Sequence, residues 1–435
     1  MKKLFVCMSV IFLFGNLSCF LKKENPLEKE RKELNKKLED NTALTIYRGA
    51  KISLRSIPAD KNIKSLDSLY GSMEKKQISG QNIQKYTVYL ISTLLKASDT
   101  TKTITIAEGL ELMNAYSKLK EELKNTDEDS FPTLMEILLY INSLNGTENK
   151  DLIKTLKWNN SKEHLVLAAV LMAAKQLPET MQLYELSKLD IDKLEKTEIK
   201  PISGMLKGIV YMQNKWNYLS EEVLTQSINS LENDNIQFEY SSFPVLFEGS
   251  KVETKEAQKT QLHALACSLR GFVRTKMDDD DKKELAVSDF EMFIADANKL
   301  GADNELVWFA GAYVAINKED NKQAIAYLDK LQNSSYFTDN EKEAIKDVKA
   351  YLADRKEDKA LNVIYDKLFI GKLVTGYLYN YFVEIDWYKA INQTEAGKQM
   401  FELPTLIDSE YKKIENEMDP SKLQEKGKEM IKDLF

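Results

Sequence analysis

Apolar and polar residues alternate along this chain in the rhythm of α-helices. From residue 27 onward, apolar side chains return every three or four positions, the spacing that lines one helix face. Leu27–Leu38 is the first such segment and is highly charged. Ala43–Ile57 is the next, stopped by Pro58. Ile83–Leu95, Ile104–Leu123 and Thr133–Leu144 follow, with loops at Asp127–Ser130 and Asn145–Gly146. Asn233–Ser250 breaks the rhythm: Ile236, Phe238, Tyr240, Phe243, Val245 and Phe247 lie among polar residues and Pro244, which predicts an extended insertion, either folded over the core as a packed loop or, if exposed, a partner contact. Phe369–Ile391 is the most aromatic segment. Phe369, Leu373, Tyr377, Tyr381 and Ile385 make one stripe, and Leu378, Tyr379, Phe382, Val383 and Trp387 widen it, which predicts a core helix closing the array. Pro404 ends that region, and Lys412–Phe435 reads as a charged terminal cap.

The clearest internal periodicity lies in the second half. Three stretches each contain an apolar helix, a polar turn and a second helix opened by an alanine. They run from Leu269 through Ala286 to Phe290, from Trp308 through Ala324 to Leu328, and from Ala344 through Ala360 to Ile364. Ala286, Ala324 and Ala360 are 38 and 36 residues apart. Small residues let two helices approach closely, and large apolar ones fill the gap to the next hairpin. No hairpin buries its face alone, so several must stack.

This pattern resembles the tetratricopeptide repeat, a helix-turn-helix unit of about 34 residues. Trp308, Ala312, Ala324 and Leu328 match that family's positions, as do Gly271, Ala286 and Phe290 with about three extra residues in the turn, and Tyr351 with Ala360. Lys207-Gly208 with Tyr211, and Ala168 with Leu171 and Tyr184, mark two weaker units. The resemblance implies an all-α solenoid of helical hairpins whose concave surface binds a protein or peptide. Phe272, Lys276, Phe309, Tyr313 and Asn317 fall on family positions that usually face that groove, and are the expected partner-binding residues.

At the other end, Lys2 and Lys3 precede a largely apolar stretch, Leu4–Phe14, and Gly15-Asn16-Leu17-Ser18 leads into Cys19. A charged start, a short apolar core and small residues after it make a secretory signal. About eleven apolar residues are too few to cross roughly 30 Å of hydrocarbon. The segment resembles the signal of bacterial lipoproteins, in which a cysteine receives lipid and becomes the mature N-terminus. Ser18 fits the small position before the cysteine; Asn16 stands where the family usually has Leu. The resemblance implies lipid attachment at Cys19. Phe20 after it, rather than Asp, favours the outer membrane by analogy.

The resulting layout is a signal at 1–18, a tether and charged helix at 19–42, helical hairpins at 43–150, repeats at 151–370 and an aromatic helix with a cap at 371–435. Composition agrees. Only 16 glycines and 8 prolines argue against an all-β fold and its many tight turns. Loss of Lys2 and Lys3 takes the net charge from −7 to about −9, which disfavours a nucleic-acid partner. With Cys7 in the leader and Cys19 lipidated, Cys267 is left alone and cannot form an intrachain disulfide. It lies in the apolar run Leu262–Leu269, which predicts a buried, inert thiol.

Catalytic patterns are missing. His164 and His263 are far apart, each in an apolar helical run. No H-E-x-x-H, C-x-x-C, G-x-S-x-G or phosphate-cradling glycine loop occurs. Asp278–Asp281 lacks the alternating acids and central glycine of a calcium loop, so a solvated turn is expected there. The expectation is a non-catalytic envelope protein without cofactor or metal, binding a protein or peptide. The alternative is a surface receptor for a small nutrient or glycan.

Overall fold

The computed structural model describes residues 25–39, 41–55, parts of 82–93, 105–126, 178–238 except 195, 252–367 except 253, and 408–409. The leader with Cys19, His164, Ala168 and Leu171 of the weak repeat unit, the aromatic segment 369–391 and the terminal cap 412–435 lie outside the described residues. So do Thr133–Leu144 and the two loops beside it, apart from residue 126 at their border.

The described residues are all-α, with no strand and a single isolated bridge between Thr197 and Gln237. The helices are α1 (Pro26–Glu39), α2 (Thr42–Arg55), α3 (Ile106–Lys124), α4 (Glu179–Ser187), α5 (Ile199–Gln213), α6 (Asn217–Asn233), α7 (Lys255–Thr275), α8 (Asp280–Leu300), α9 (Glu305–Asn317), α10 (Asn321–Asn333), α11 (Asp339–Ala353) and α12 (Glu357–Lys367). A short 3-10 turn, Ile191–Lys193, precedes α5. Helices pack in consecutive pairs, α5 with α6, α7 with α8, α9 with α10 and α11 with α12. The second helix of each pair then packs on the first of the next, which makes a solenoid-like stack; α12 also reaches back to α9. In the N-terminal part, α2 packs on α3, and α1 lies against α4 and α6.

Three of the four hairpins share one turn. Lys215, Glu319 and Arg355 hold φ at 62°, 58° and 55°. The next residue's N–H donates back five positions, Trp216 to the Tyr211 carbonyl at 3.0 Å, Asp320 to Ala315 at 2.9 Å and Lys356 to Tyr351 at 2.9 Å. A second bond runs from Lys215 to Met212, Glu319 to Ile316 and Arg355 to Leu352, completing the Schellman ending that satisfies orphan carbonyls. Glycine usually takes this left-handed place; here charged residues do.

Counting from that turn brings the hairpins into register. Ser220, Ala324 and Ala360 occupy one position and are fully buried. Gly208, Ala312 and Val348 oppose them on the first helix, and the Ser220 hydroxyl donates to the Gly208 carbonyl at 2.7 Å. Leu224, Leu328 and Ile364 follow as buried fillers. In the α7–α8 pair the turn is longer, and Ala286 takes the small position. A β-carbon on Gly311 would lie 2.6 Å from the Tyr327 ring, so α9 and α10 touch backbone to side chain there.

The described start of the 233–250 insertion is packed: Ile236 and Phe238 are buried, and the Gln237 N–H donates to the Lys196 carbonyl at 2.8 Å.

Candidate functional site

The five residues expected on a partner-binding groove do not share one surface. Phe272 on α7 is half-buried, with the Lys276 ammonium 5.6 Å from its ring centroid, and Lys276 is exposed. Asn317 is exposed at the end of α9, its amide donating to the Tyr313 carbonyl at 2.9 Å. Phe309 and Tyr313 are core residues, 3% and 0% exposed. Phe290 of α8 meets both edge-on, at ring separations of 6.0 Å and 5.1 Å. That corrects the groove assignment for this pair: the space their rings would have faced is filled by the preceding hairpin. The sequence carried a signal for it. Residues 306–316 are apolar or glycine throughout, and a helix apolar all round is buried on every side. α7 behaves alike, with residues 264–271 buried without a break.

The open surface lies elsewhere. α8 and α10 both pack on α9, and a valley runs between them. A cleft of about 510 Å³ lies between them, and a second of about 840 Å³ continues from Glu291 along α8, with Asn317 of α9 beside it. One wall is a continuous stripe of α8: Glu284, Val287, Ser288, Glu291, Ile294 and Asn298. The floor is Val314, Ala315 and Lys318 of α9, and the far wall is Gln323 and Tyr327 of α10. The α8 stripe exists because helical spacing places its residues on one face. The upper end is acidic, with Asp280, Asp281 and Glu284 exposed beside Leu285, which is 43% exposed. Lys283 pairs with Asp280 at 3.1 Å, and Lys318 pairs with Glu291 across the middle.

The opposite face of α8 is locked by buried charge. Asp289 accepts from the Arg270 guanidinium at 2.7 Å and from Arg274 at 2.8 Å. Arg274 also reaches Glu221 of α6 at 2.8 Å, and Lys282 reaches the same carboxylate at 2.7 Å. Burial is the largest influence on Asp289 and leaves its carboxyl above the usual value despite both arginines. Burial pushes Glu221 up too, but the hydrogen bonds from Lys282 and Arg274 outweigh it and hold that carboxyl low. Such a network fixes the rotation of α8, because turning the helix would strand buried charges.

No protein-family model, curated protein or solved structure matches this chain.

One constellation has the residue types of nucleophilic catalysis. His263 Nδ1 lies 2.6 Å from Asp296 Oδ2, and Cys267 Sγ is 3.8 Å from each ring nitrogen. Its geometry is that of a structural knot. The Asp296 hydrogen bond, with help from Cys267 and against burial, raises the imidazole to about 10, which favours its protonated, ion-paired form. Its other nitrogen faces Glu232 at 3.3 Å. Cys267 is fully buried and its thiol is pushed up by burial, opposite to the shift that activates a nucleophile. Sequence spacing missed this contact set because Glu232, His263 and Asp296 come from three helices.

Lys207 is another shifted group. Burial lowers it to about 8, and its ammonium donates to the Leu189 carbonyl at 2.8 Å, tying α5 to the segment before it. Among the described residues, no group of three His, Cys, Asp or Glu side chains is placed to hold a metal ion. At 278–281, Asp279 caps α8 by accepting from the Asp281 N–H at 3.1 Å, as a turn residue does.

Proposed function

We propose that this chain is a membrane-tethered binding or scaffold protein of a bacterial envelope, held by lipid at Cys19. The observation that carries the reading is the open valley beside α8 on the described stack of hairpins. An open, ridge-sided valley suits a protein segment better than a small molecule, which favours an enclosed, mostly apolar pocket.

The start of the chain supports tethering close to the bilayer. α1 is docked through polar contacts. Arg31 pairs with Glu222 at 2.5 Å and Lys37 with Glu179 at 2.5 Å. Glu30 accepts from the Leu219 N–H at 2.8 Å, serving the unsatisfied start of α6, and Leu34 is buried beneath. Six residues separate Cys19 from Pro26, a reach of about 20 Å when extended. A lipidated Cys19 would hold the stack near the membrane and raise its effective concentration for partners there. No described helix is long and apolar enough to cross a membrane.

Two measurements test the reading. Cys19→Ala should move the protein from the membrane pellet to the soluble fraction; retention of the variant in the pellet refutes lipid anchoring at that residue. A photo-crosslinking side chain placed at Ala295 in the valley should capture a defined envelope protein in cells, while one at exposed Lys346 on α11 should not. Equal yields at both positions would refute the valley as the binding surface.

A further inference from the structure

The geometry points to a basic amphipathic helix of a partner protein as the occupant of the α8–α10 valley, an inference that rests on the valley being the binding surface. The stripe from Glu284 to Asn298 spans 15 residues of α8, a rise of about 21 Å, the length of about four helical turns laid alongside. Its two ends differ in chemistry. Around the lower cleft stand Ile294, Ala295, Val314 and Tyr327, partly exposed, which offer an apolar seat. At the upper end stand Asp280, Asp281 and Glu284.

Charge selects the partner's sign. Five carboxylates line the two clefts, at Asp280, Asp281, Glu284, Glu291 and Asp320, against two lysines. Those lysines are already paired, Lys283 with Asp280 and Lys318 with Glu291. The potential that an arriving segment meets is therefore set by acids, chiefly Asp281 and Glu284, both exposed. An acidic segment, or an anionic lipid surface, would be repelled by the same groups. The complementary occupant has two or three lysines or arginines at one end and an aliphatic stripe at helical spacing beside them. It would lie on α9 as a further helix of the stack, using the same ridge-in-groove packing as its neighbours.

The test uses the full chain and a synthetic 14-residue helical peptide with three lysines at one end and a leucine stripe, labelled for fluorescence anisotropy. A twin peptide carries glutamates in place of the lysines. The lysine peptide should bind at least tenfold more tightly than the twin. Raising the salt from about 0.05 to about 0.5 M should weaken it about tenfold, because exposed charges are screened. D281K/E284K should invert the preference, and Ala295→Trp should plug the apolar seat and abolish binding of the lysine peptide. Circular dichroism melts would confirm that both variants fold. Equal binding of the two peptides, or an unchanged preference in D281K/E284K, overturns the inference. Valley-specific crosslinking at Ala295 with no lysine-peptide preference overturns the partner class alone. Loss of both results removes the binding surface as well.

Discussion

Tyr313 decides between a binding groove and a packed core. On an open concave face, Tyr313→Ala would remove a contact and leave stability nearly unchanged. In this structure the side chain is fully buried and meets Phe290 at 5.1 Å with a 66° angle between rings. A tyrosine of this kind buries about 150–250 Å². At about 25 cal/mol per Å² that is roughly 4–6 kcal/mol of transfer free energy, part of which alanine retains. Truncating a buried aromatic to alanine costs about 3–5 kcal/mol, and that is the expected loss here. Urea unfolding followed by circular dichroism measures it, with the midpoint falling and the slope unchanged. A double-mutant cycle with Phe290→Ala should return about 0.5–1.5 kcal/mol of coupling for the edge-on pair. A loss under about 1 kcal/mol, or no coupling with Phe290, would refute the packed-core account and restore Tyr313 to an accessible face.

Two further outcomes follow from local geometry. His263 has a folded-state value of about 10, raised above its unfolded value near 6.5, so its stabilising contribution is complete below about pH 6.5 and disappears as pH rises through 10. The stability difference between the native chain and His263→Gln should therefore be largest below pH 6.5 and shrink steadily toward pH 10. A difference that grows with pH would contradict the Asp296 pairing. Glu319 holds φ at 58° in a Schellman turn, a conformation that costs a side-chain-bearing residue about 1 kcal/mol. Glu319→Gly should raise the stability measured by thermal melting by about 0.5 kcal/mol, and Glu319→Val should lower it by more than 1 kcal/mol. A stabilising valine would refute the left-handed assignment.

Much of the array was legible in the chain. Ala286, Ala324 and Ala360 mark the small positions of successive hairpins by their spacing, and all three are fully buried. Thr105 and Glu108 form a capping box at the start of α3, inside the segment expected from periodicity, and Thr338 and Glu341 do the same for α11. These are local features, settled by residues within a turn or a hairpin of one another. The shared Schellman turns were not legible, because Lys215, Glu319 and Arg355 carry none of the glycine signal that usually marks a left-handed residue.

The candidate site was hidden for a different reason. Phe309 and Tyr313 occupy family positions that face a groove, yet how far two hairpins splay depends on what fills the space between them. Phe290, 19 residues before Phe309, fills it. The α8 valley is equally non-local, since its three sides come from separate helices and its rotation is fixed by Arg270, Arg274 and Glu221 on the far face. The sequence by itself determined the helices, the hairpin pairing and the small positions where helices meet, because helical period and side-chain size act over short range. Only the tertiary structure decided which faces close and which stay open, because that depends on buried charges and rings brought together from three helices.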